Sequence, residues 1–146
     1  MKMDKKGVTL LELIVVFVII AIGAVLVVPN MGAWLPNYRL RSATRDIAST
    51  LRTAQMRAVS NNLDYRVSFA ASTYVLERNT GGVWVSDGAT QKLPTGIAIQ
   101  SNTFAGSVAL FRSNSSSNGG TIVLRNTKNT TRTITVLLST GRITIQ

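Results

Sequence analysis

Few side chains in this chain have the type and spacing that acid–base or nucleophilic chemistry requires. The sequence contains no histidine and no cysteine, so the commonest general base, the commonest metal ligand and any thiolate are absent. Asp64, Glu77 and Asp87 are each predicted at or beside a turn or strand end, where solvated carboxylates are ordinary. A hydroxyl nucleophile would need a lysine base, and Lys92 and Lys128 lie in polar turns. The residues therefore predict no catalytic site, no metal site, no cofactor and no enzyme.

Glu12 is the acidic residue with the most unusual surroundings. It is the only ionisable side chain in the apolar run from Val8 to Val28. As a helix, this run of about 21 residues would be about 30 Å long and would cross the hydrocarbon layer of a membrane. A carboxylate at the centre of that layer costs about 2.5 to 3.5 kcal/mol unless a partner compensates it. Cleavage after Gly7 would create a positive amine on Val8, one helical turn from Glu12 or from the Glu12 of a neighbouring copy.

This N-terminus resembles the class III leader of type IV prepilins and type II secretion pseudopilins. The resemblance is carried by Gly7, by Val8 through Glu12 and by the apolar run that follows. It implies cleavage after Gly7 by a prepilin peptidase and N-methylation of Val8, although the family's usual first mature residue is Phe or Met. It also implies a helix bend at Pro29, where many pilins carry a proline.

Two other interpretations of the same segment stay open. A secretory signal peptide also has a basic start and an apolar core, but its core is shorter and seldom carries an acidic residue at its head. A permanent single-pass anchor would let Glu12 extend to the membrane–water interface. The agreement of basic leader, Gly7, Glu12 and apolar length favours the prepilin interpretation.

Residues 30–62 are predicted to continue the N-terminal helix. Apolar residues recur there at spacings of three and four, which is typical of an amphipathic helix: Leu40, Ala43, Ile47, Leu51, Ala54 and Ala58. Pro36 predicts a bend or a locally melted stretch, because proline removes a helical hydrogen bond. Trp34 and Tyr38 suit a membrane–water interface or packing against protein. Asn61 and Asn62 form a plausible end, because Asn tolerates the left-handed conformation found there.

Beyond residue 62 the chain changes to short β-rich runs separated by turns. Tyr65, Val67 and Phe69 alternate with polar residues, and a second run over 73–78 predicts a hairpin with them. Runs at 121–125, 133–138 and 142–145 predict a three-stranded meander. This region resembles the GspH/FimT group through AQMRAVSNNLDYRVS at 54–68, the short GVW strand, the FRSN…NGG turn and the closing TGRI.

The resemblance implies an α+β, pilin-like fold, in which a long N-terminal helix packs on an antiparallel β-sheet domain. The expected segments are a leader (1–7), a membrane-spanning or filament-core helix (8–29), its continuation (30–62) and a β-rich domain (63–146). The implied location is the bacterial inner membrane, with the C-terminal domain in the periplasm and, after assembly, at a filament tip or outside the cell. The implied partners are other pilins or pseudopilins, prepilin peptidase and inner-membrane lipid. Type II secretion and type IV pilus systems are both compatible with these residues.

The charge of the chain raises DNA as a further partner. Sixteen basic and six acidic residues give a net charge of +10, and no acidic residue follows Asp87. Such a balance raises affinity for polyanions. Some FimT-type minor pilins bind DNA in natural transformation through arginines near a GRxR motif, of which this chain has Gly141 and Arg142 but not the second arginine. The candidate DNA-binding residues are Arg125, Lys128, Arg132 and Arg142. A solvated basic surface, or contacts with acidic neighbouring subunits, is the alternative explanation and is the one that the missing second arginine favours.

Overall fold

The structure, a computed structural model, describes residues 9–27 and 31–146. Two helices open the chain: α1 spans Leu10–Val27 and α2 spans Met31–Asn61. The chain divides between Leu35 and Pro36 into two compact units. The first contains α1, and the second contains most of α2 together with all the strands.

Helix α2 is amphipathic, as its sequence pattern predicts. Its buried face consists of the apolar residues spaced three and four apart, Leu40, Ala43, Ile47, Leu51, Ala54 and Ala58. Pro36 lies inside the helix, which continues through it, so the chain is not melted there. At the other end, Asn62 adopts the left-handed conformation with a φ of 51°. The Leu63 N–H bonds to the Ala58 carbonyl at 3.2 Å and the Asn62 N–H to the Val59 carbonyl at 3.4 Å, which closes the helix with the predicted asparagine.

Nine strands follow, and all of their pairings are antiparallel. They form two sheets. The first sheet has the order β3-β2-β1-β6, with β4 also paired to β2, and the second has the order β5-β7-β8-β9. Their bounds are β1 Tyr65–Phe69, β2 Thr73–Thr80, β3 Val83–Ser86, β4 Gln91–Lys92, β5 Ile97–Asn102, β6 Val108–Phe111, β7 Gly120–Asn126, β8 Thr131–Val136 and β9 Ile143–Ile145.

Both sequence-predicted strand groups are confirmed. The hairpin is β1–β2, in which Val67 lies opposite Leu76. The closing meander is β7–β8–β9, in which Ile122 lies opposite Ile134, and Ile134 lies opposite Ile145. Because side chains alternate between the faces of a strand, these registers place the apolar residues of neighbouring strands on one face.

One hydrophobic core joins α2 to both sheets. The buried face of α2 supplies one side of it, and the inner faces of the sheets supply the rest. The sheet residues with side chains of at most 2% exposure are Tyr65, Val67, Ala109, Phe111, Ile122, Leu124, Ile134 and Val136. We call the second compact unit, Pro36–Gln146, the globular unit. The part of α2 from Pro36 onward, its outer part, is an integral part of this unit.

Candidate assembly site

The first turn of α1 holds Glu12 together with a residue that was not predicted from the sequence. Thr9 directly precedes the helix, and its Oγ1 accepts a hydrogen bond from the Glu12 backbone N–H at 3.3 Å. The spacing Thr-x-x-Glu is the sequence signature of a helix-capping box. This spacing is the signal from which Thr9 could have been predicted. The cap satisfies one of the backbone donors that a helix N-terminus leaves unpaired.

The carboxylate of Glu12 also suits this position electrostatically. A negative charge in the first turn interacts with the partial positive charge of the helix N-terminus, which is worth about 0.3 to 1 kcal/mol at an exposed site. The side chain is exposed, and within residues 9–27 and 31–146 it forms no ion pair. The described part of the chain therefore holds no cation that compensates this charge.

The remainder of α1 exposes large apolar side chains around its whole circumference. Eleven of them, between Leu10 and Ile22, have exposures from 49% at Val15 to 77% at Leu10. A helix that is apolar on all sides is normally buried, either inside a large protein or in a membrane. Since nothing covers these side chains within the described residues, α1 has the character of an element that is buried by other molecules.

The predicted leader and span extend beyond the described residues. In residues 9–27 and 31–146, no helix combines the length and the apolar character that crossing a membrane requires. The span predicted over 8–29 extends past α1 at both ends. Gly7 and Val8, predicted to flank the cleavage site, and Pro29, predicted to bend the helix, lie outside the described residues. Cleavage, N-methylation and the bend at Pro29 stay predictions.

Of the four candidate DNA-binding residues, Arg125 and Arg132 lie in strands of the second sheet, on opposite faces, and Lys128 and Arg142 lie in the connections between its strands. Arg125 of β7 alternates with the buried Leu124 and Asn126, so it lies on the outer face. Arg132 of β8 lies opposite Leu124 in the register, so it belongs to the inner side, at the end of the strand. Arg125 and Arg132 therefore project from different faces of the sheet.

The other two lie at opposite ends of β8. Lys128 lies in the turn between β7 and β8. Arg142 lies beyond the far end of β8, where its carbonyl accepts a hydrogen bond from the Leu137 N–H at 3.0 Å. Leu137, the hydrogen-bond partner of Arg142, directly follows β8. At about 3.4 Å per residue it lies about 17 Å from Arg132 along the chain, so Arg142 and Arg132 are at opposite ends of the strand. The structure does not gather the four side chains, and DNA binding stays a prediction that this placement does not favour.

Gly141, the first residue of the apparent DNA-binding motif, has a packing role instead. Its φ of 61° is left-handed, and a Cβ added there would lie 2.7 Å from Gln55 Nε2 and 2.9 Å from the Ser115 carbonyl oxygen. The Gln55 amide itself donates to the Thr140 carbonyl at 3.0 Å. Only glycine fits this turn against α2 without strain.

Two carboxylates that the sequence placed at solvated turn or strand ends are in ion pairs. Asp87 binds Arg57 at 2.7 Å, and Glu77 binds the Nε of Arg66 at 2.6 Å. The prediction that Glu77 lies at a solvated strand end is wrong. Strand β2 continues to Thr80, and the Glu77 side chain is only 17% exposed. The Arg66 guanidinium also lies 4.2 Å from the centre of the Trp84 ring. The Arg57–Asp87 pair joins α2 to the loop after β3, and the Arg66–Glu77 pair joins β1 to β2.

A polar cleft of about 340 Å³ separates α2 from β2 and contains Asp46, Thr50, Tyr74 and Asp87. Burial raises the pKa of the Tyr74 phenol, and the nearby charge of Asp46 raises it further, against the lowering effect of a hydrogen bond with Thr50. The phenol therefore keeps its proton at neutral pH. Across the described ranges, no group of three or more His, Cys, Asp or Glu side chains is placed to hold a metal ion.

The chain matches two protein families. Residues 2–28 match the prokaryotic N-terminal methylation motif, and residues 43–141, the larger part of the chain, match the family of type II transport protein GspH. Among curated proteins, none matches.

Solved structures share the fold at low sequence identity. EpsH, a minor pseudopilin of the type 2 secretion system of Vibrio cholerae, is 11% identical, with 74% of this chain and 96% of that chain covered and a TM-score of 0.63. The type IV minor pilin FimU of Pseudomonas aeruginosa is 14% identical, with coverage of 75% and 90% and a TM-score of 0.63. GspH of E. coli is 14% identical, with coverage of 82% and 94% and a TM-score of 0.61. At these identities the likeness establishes the fold.

Proposed function

The chain belongs to the GspH family and has the fold of minor pseudopilins and pilins, and from that premise we propose how it assembles. Prepilin peptidase cleaves after Gly7, Val8 is N-methylated, and α1 then enters the core of a filament built with other pilins or pseudopilins. The family and fold are those of structural subunits. The chemistry required of this chain is therefore association rather than catalysis.

The exposed apolar surface of α1 is the observation that carries this proposal. Burying one large apolar side chain fully is worth about 1.5 to 3 kcal/mol. Because eleven such side chains in α1 are about half exposed or more, packing them against other helices would contribute on the order of 10 kcal/mol. That is enough to offset much of the entropy lost when a subunit is fixed in a filament.

Glu12 supplies the specificity that apolar contact lacks. In the filament core its carboxylate pairs with the Val8 amine, either of the same subunit or of a neighbour. An unpaired carboxylate in an apolar core is strongly penalised, whereas a correctly placed pair is tolerated. Subunits out of register are therefore rejected. The hydrogen bond from the Glu12 backbone N–H to the Thr9 hydroxyl keeps Glu12 in the first turn of the helix.

Before assembly, the subunit is held in the bacterial inner membrane by its apolar N-terminal segment, with the globular unit in the periplasm. A polypeptide helix in lipid satisfies its backbone hydrogen bonds internally, so the same segment can pass from lipid to a helical filament core without unfolding. After assembly the globular unit lies near the filament tip or outside the cell.

The mass of the N-terminal peptide of protein isolated from membranes tests this proposal. We expect a mature chain that begins at N-methylated Val8. An intact Met1 in cells with an active prepilin peptidase would instead indicate a plain anchor. A start beyond Ala21 would indicate a discarded secretory signal, and either result would overturn the proposed assembly.

A further inference from the structure

Three arginines form a straight stripe along the exposed side of α2. Arg41, Arg45 and Arg52 are spaced by four and seven residues, so they lie on one face of a helix with 3.6 residues per turn. All three side chains are exposed. Arg52 lies eleven residues after Arg41, which corresponds to about 17 Å along the helix at about 1.5 Å per residue. We call these three residues the arginine stripe.

Among the described residues, the arginine stripe forms no ion pair. Helical ion pairs form between residues three or four apart, and none of the positions three or four away from these arginines is acidic. The ion pairs of the described residues involve Arg57 and Arg66 instead. Arg41 and Arg45 are themselves four residues apart, so the two like charges repel each other.

The same face of α2 continues into exposed apolar residues. Met56 and Val59 follow Arg52 by four and seven residues, and their exposures are 64% and 46%. Together with Gln55, Ser60 and Ser115 they line a groove of about 370 Å³. One helix face therefore presents three cations at one end and an apolar groove at the other.

We propose that a neighbouring filament subunit docks on this face through carboxylates that pair with the arginine stripe and an apolar side chain that enters the groove at Met56 and Val59. Guanidinium groups bind carboxylates through two parallel hydrogen bonds, which gives both attraction and orientation. A partner helix with acidic residues at the same spacings of four and seven matches the stripe. This inference rests on the proposed function, because the filament supplies the neighbour.

Charge reversal in the full-length chain, in cells that assemble filaments, tests this docking surface. The variant R41E/R45E/R52E is compared with the charge-conserving R41K/R45K/R52K. The matched control R78E/K92E/R112E makes the same change of net charge at three exposed positions outside α2. Because opposed like charges across an interface are strongly unfavourable, we expect reversal of the stripe to lower incorporation into sheared filaments about ten-fold or more. The charge-conserving and control variants should incorporate normally.

Carbodiimide cross-linking identifies the chemistry of the partner. The amine introduced by R45K should become joined to an Asp or Glu of another filament subunit, whereas the wild-type arginine should not react there.

Normal incorporation of the stripe-reversal variant would overturn the docking surface, and so would an equal loss in the control. Loss of the variant from the membrane fraction, with no carboxylate cross-link, would assign the stripe to anionic lipid and also overturn it. If wild-type protein is itself absent from filaments, the proposed function fails instead.

Discussion

Helix α1 and the outer part of α2 both carry many apolar residues, yet only α2 has a core within its own chain. In α2 the apolar residues occupy one face, and Ile47, Leu51 and Ala54 are completely buried against the two sheets. In α1 they occupy every face, and side chains such as Leu13 and Ile19 are more than half exposed. The difference lies in the spacing of the apolar residues rather than in their number.

This comparison teaches which partner each helix requires. A helix with one apolar face needs one neighbour, which the folded chain provides. A helix that is apolar all round needs apolar surroundings on every side, which residues 9–27 and 31–146 do not provide for α1. The globular unit therefore buries its apolar residues within the chain, whereas α1 requires other molecules to cover its apolar residues.

The largest effect should come from applying one chemical change to both helices. Leu51→Ala removes a buried side chain of α2 and should lower the free energy of unfolding of the globular unit by about 2 to 5 kcal/mol. Leu13→Ala, the same change at a residue of α1 with 52% exposure, should leave it unchanged. Urea unfolding of full-length protein in detergent micelles measures both. Equal shifts would contradict the distinction between the two helices.

A smaller effect is expected where a turn packs against α2. Gly141→Ala places a Cβ against Gln55 and the Ser115 carbonyl oxygen in a left-handed conformation. We expect it to destabilise the globular unit by about 1 to 3 kcal/mol. Gly81→Ala is the control, because its φ of 62° is nearly the same but its surroundings are open. If the two substitutions cost the same, strain rather than close packing on α2 explains Gly141.

The smallest effect concerns Tyr74, which packs beside α2 in the polar cleft. Its pKa in the folded protein is raised by burial above the ordinary value of 10.0. The unfolded chain therefore loses this proton at lower pH than the folded one, so the free energy of unfolding should fall as the pH rises above about 10. Tyr74→Phe should reduce that fall. Below pH 9 it should leave the pH dependence of the free energy of unfolding unchanged. The same alkaline loss in both proteins, measured by urea unfolding, would exclude Tyr74 as its source.

Much of this architecture was predictable from the sequence, because the governing signals are local. The spacing from Leu40 to Ala58 identifies the buried face of α2, and Asn62 marks its end through a backbone conformation that asparagine tolerates. Alternation in β1 and β2 identifies their hairpin. These features depend on residues close together in the chain.

The parts that could not be predicted depend on long-range pairing. Alternation shows which strand residues face the core but not which strands become neighbours, so the division into two sheets was not visible. For the same reason, the opposite faces of Arg125 and Arg132 and the ion pair between Arg66 and Glu77 required the register of the strands. Thr9 is different, because the Thr-x-x-Glu pattern that predicts a helix cap is present in the sequence and was not used.

Filament incorporation of Glu12→Ala tests the central claim most directly. The substitution should leave membrane insertion and the folded globular unit intact, while the Val8 amine loses its partner in the apolar core. Because an unpaired buried charge is strongly unfavourable, we expect incorporation into sheared filaments to fall about ten-fold or more. Thr9→Ala, which removes the cap but keeps the carboxylate, should incorporate nearly normally. Normal incorporation of Glu12→Ala at an equal membrane level would contradict the assembly role of Glu12.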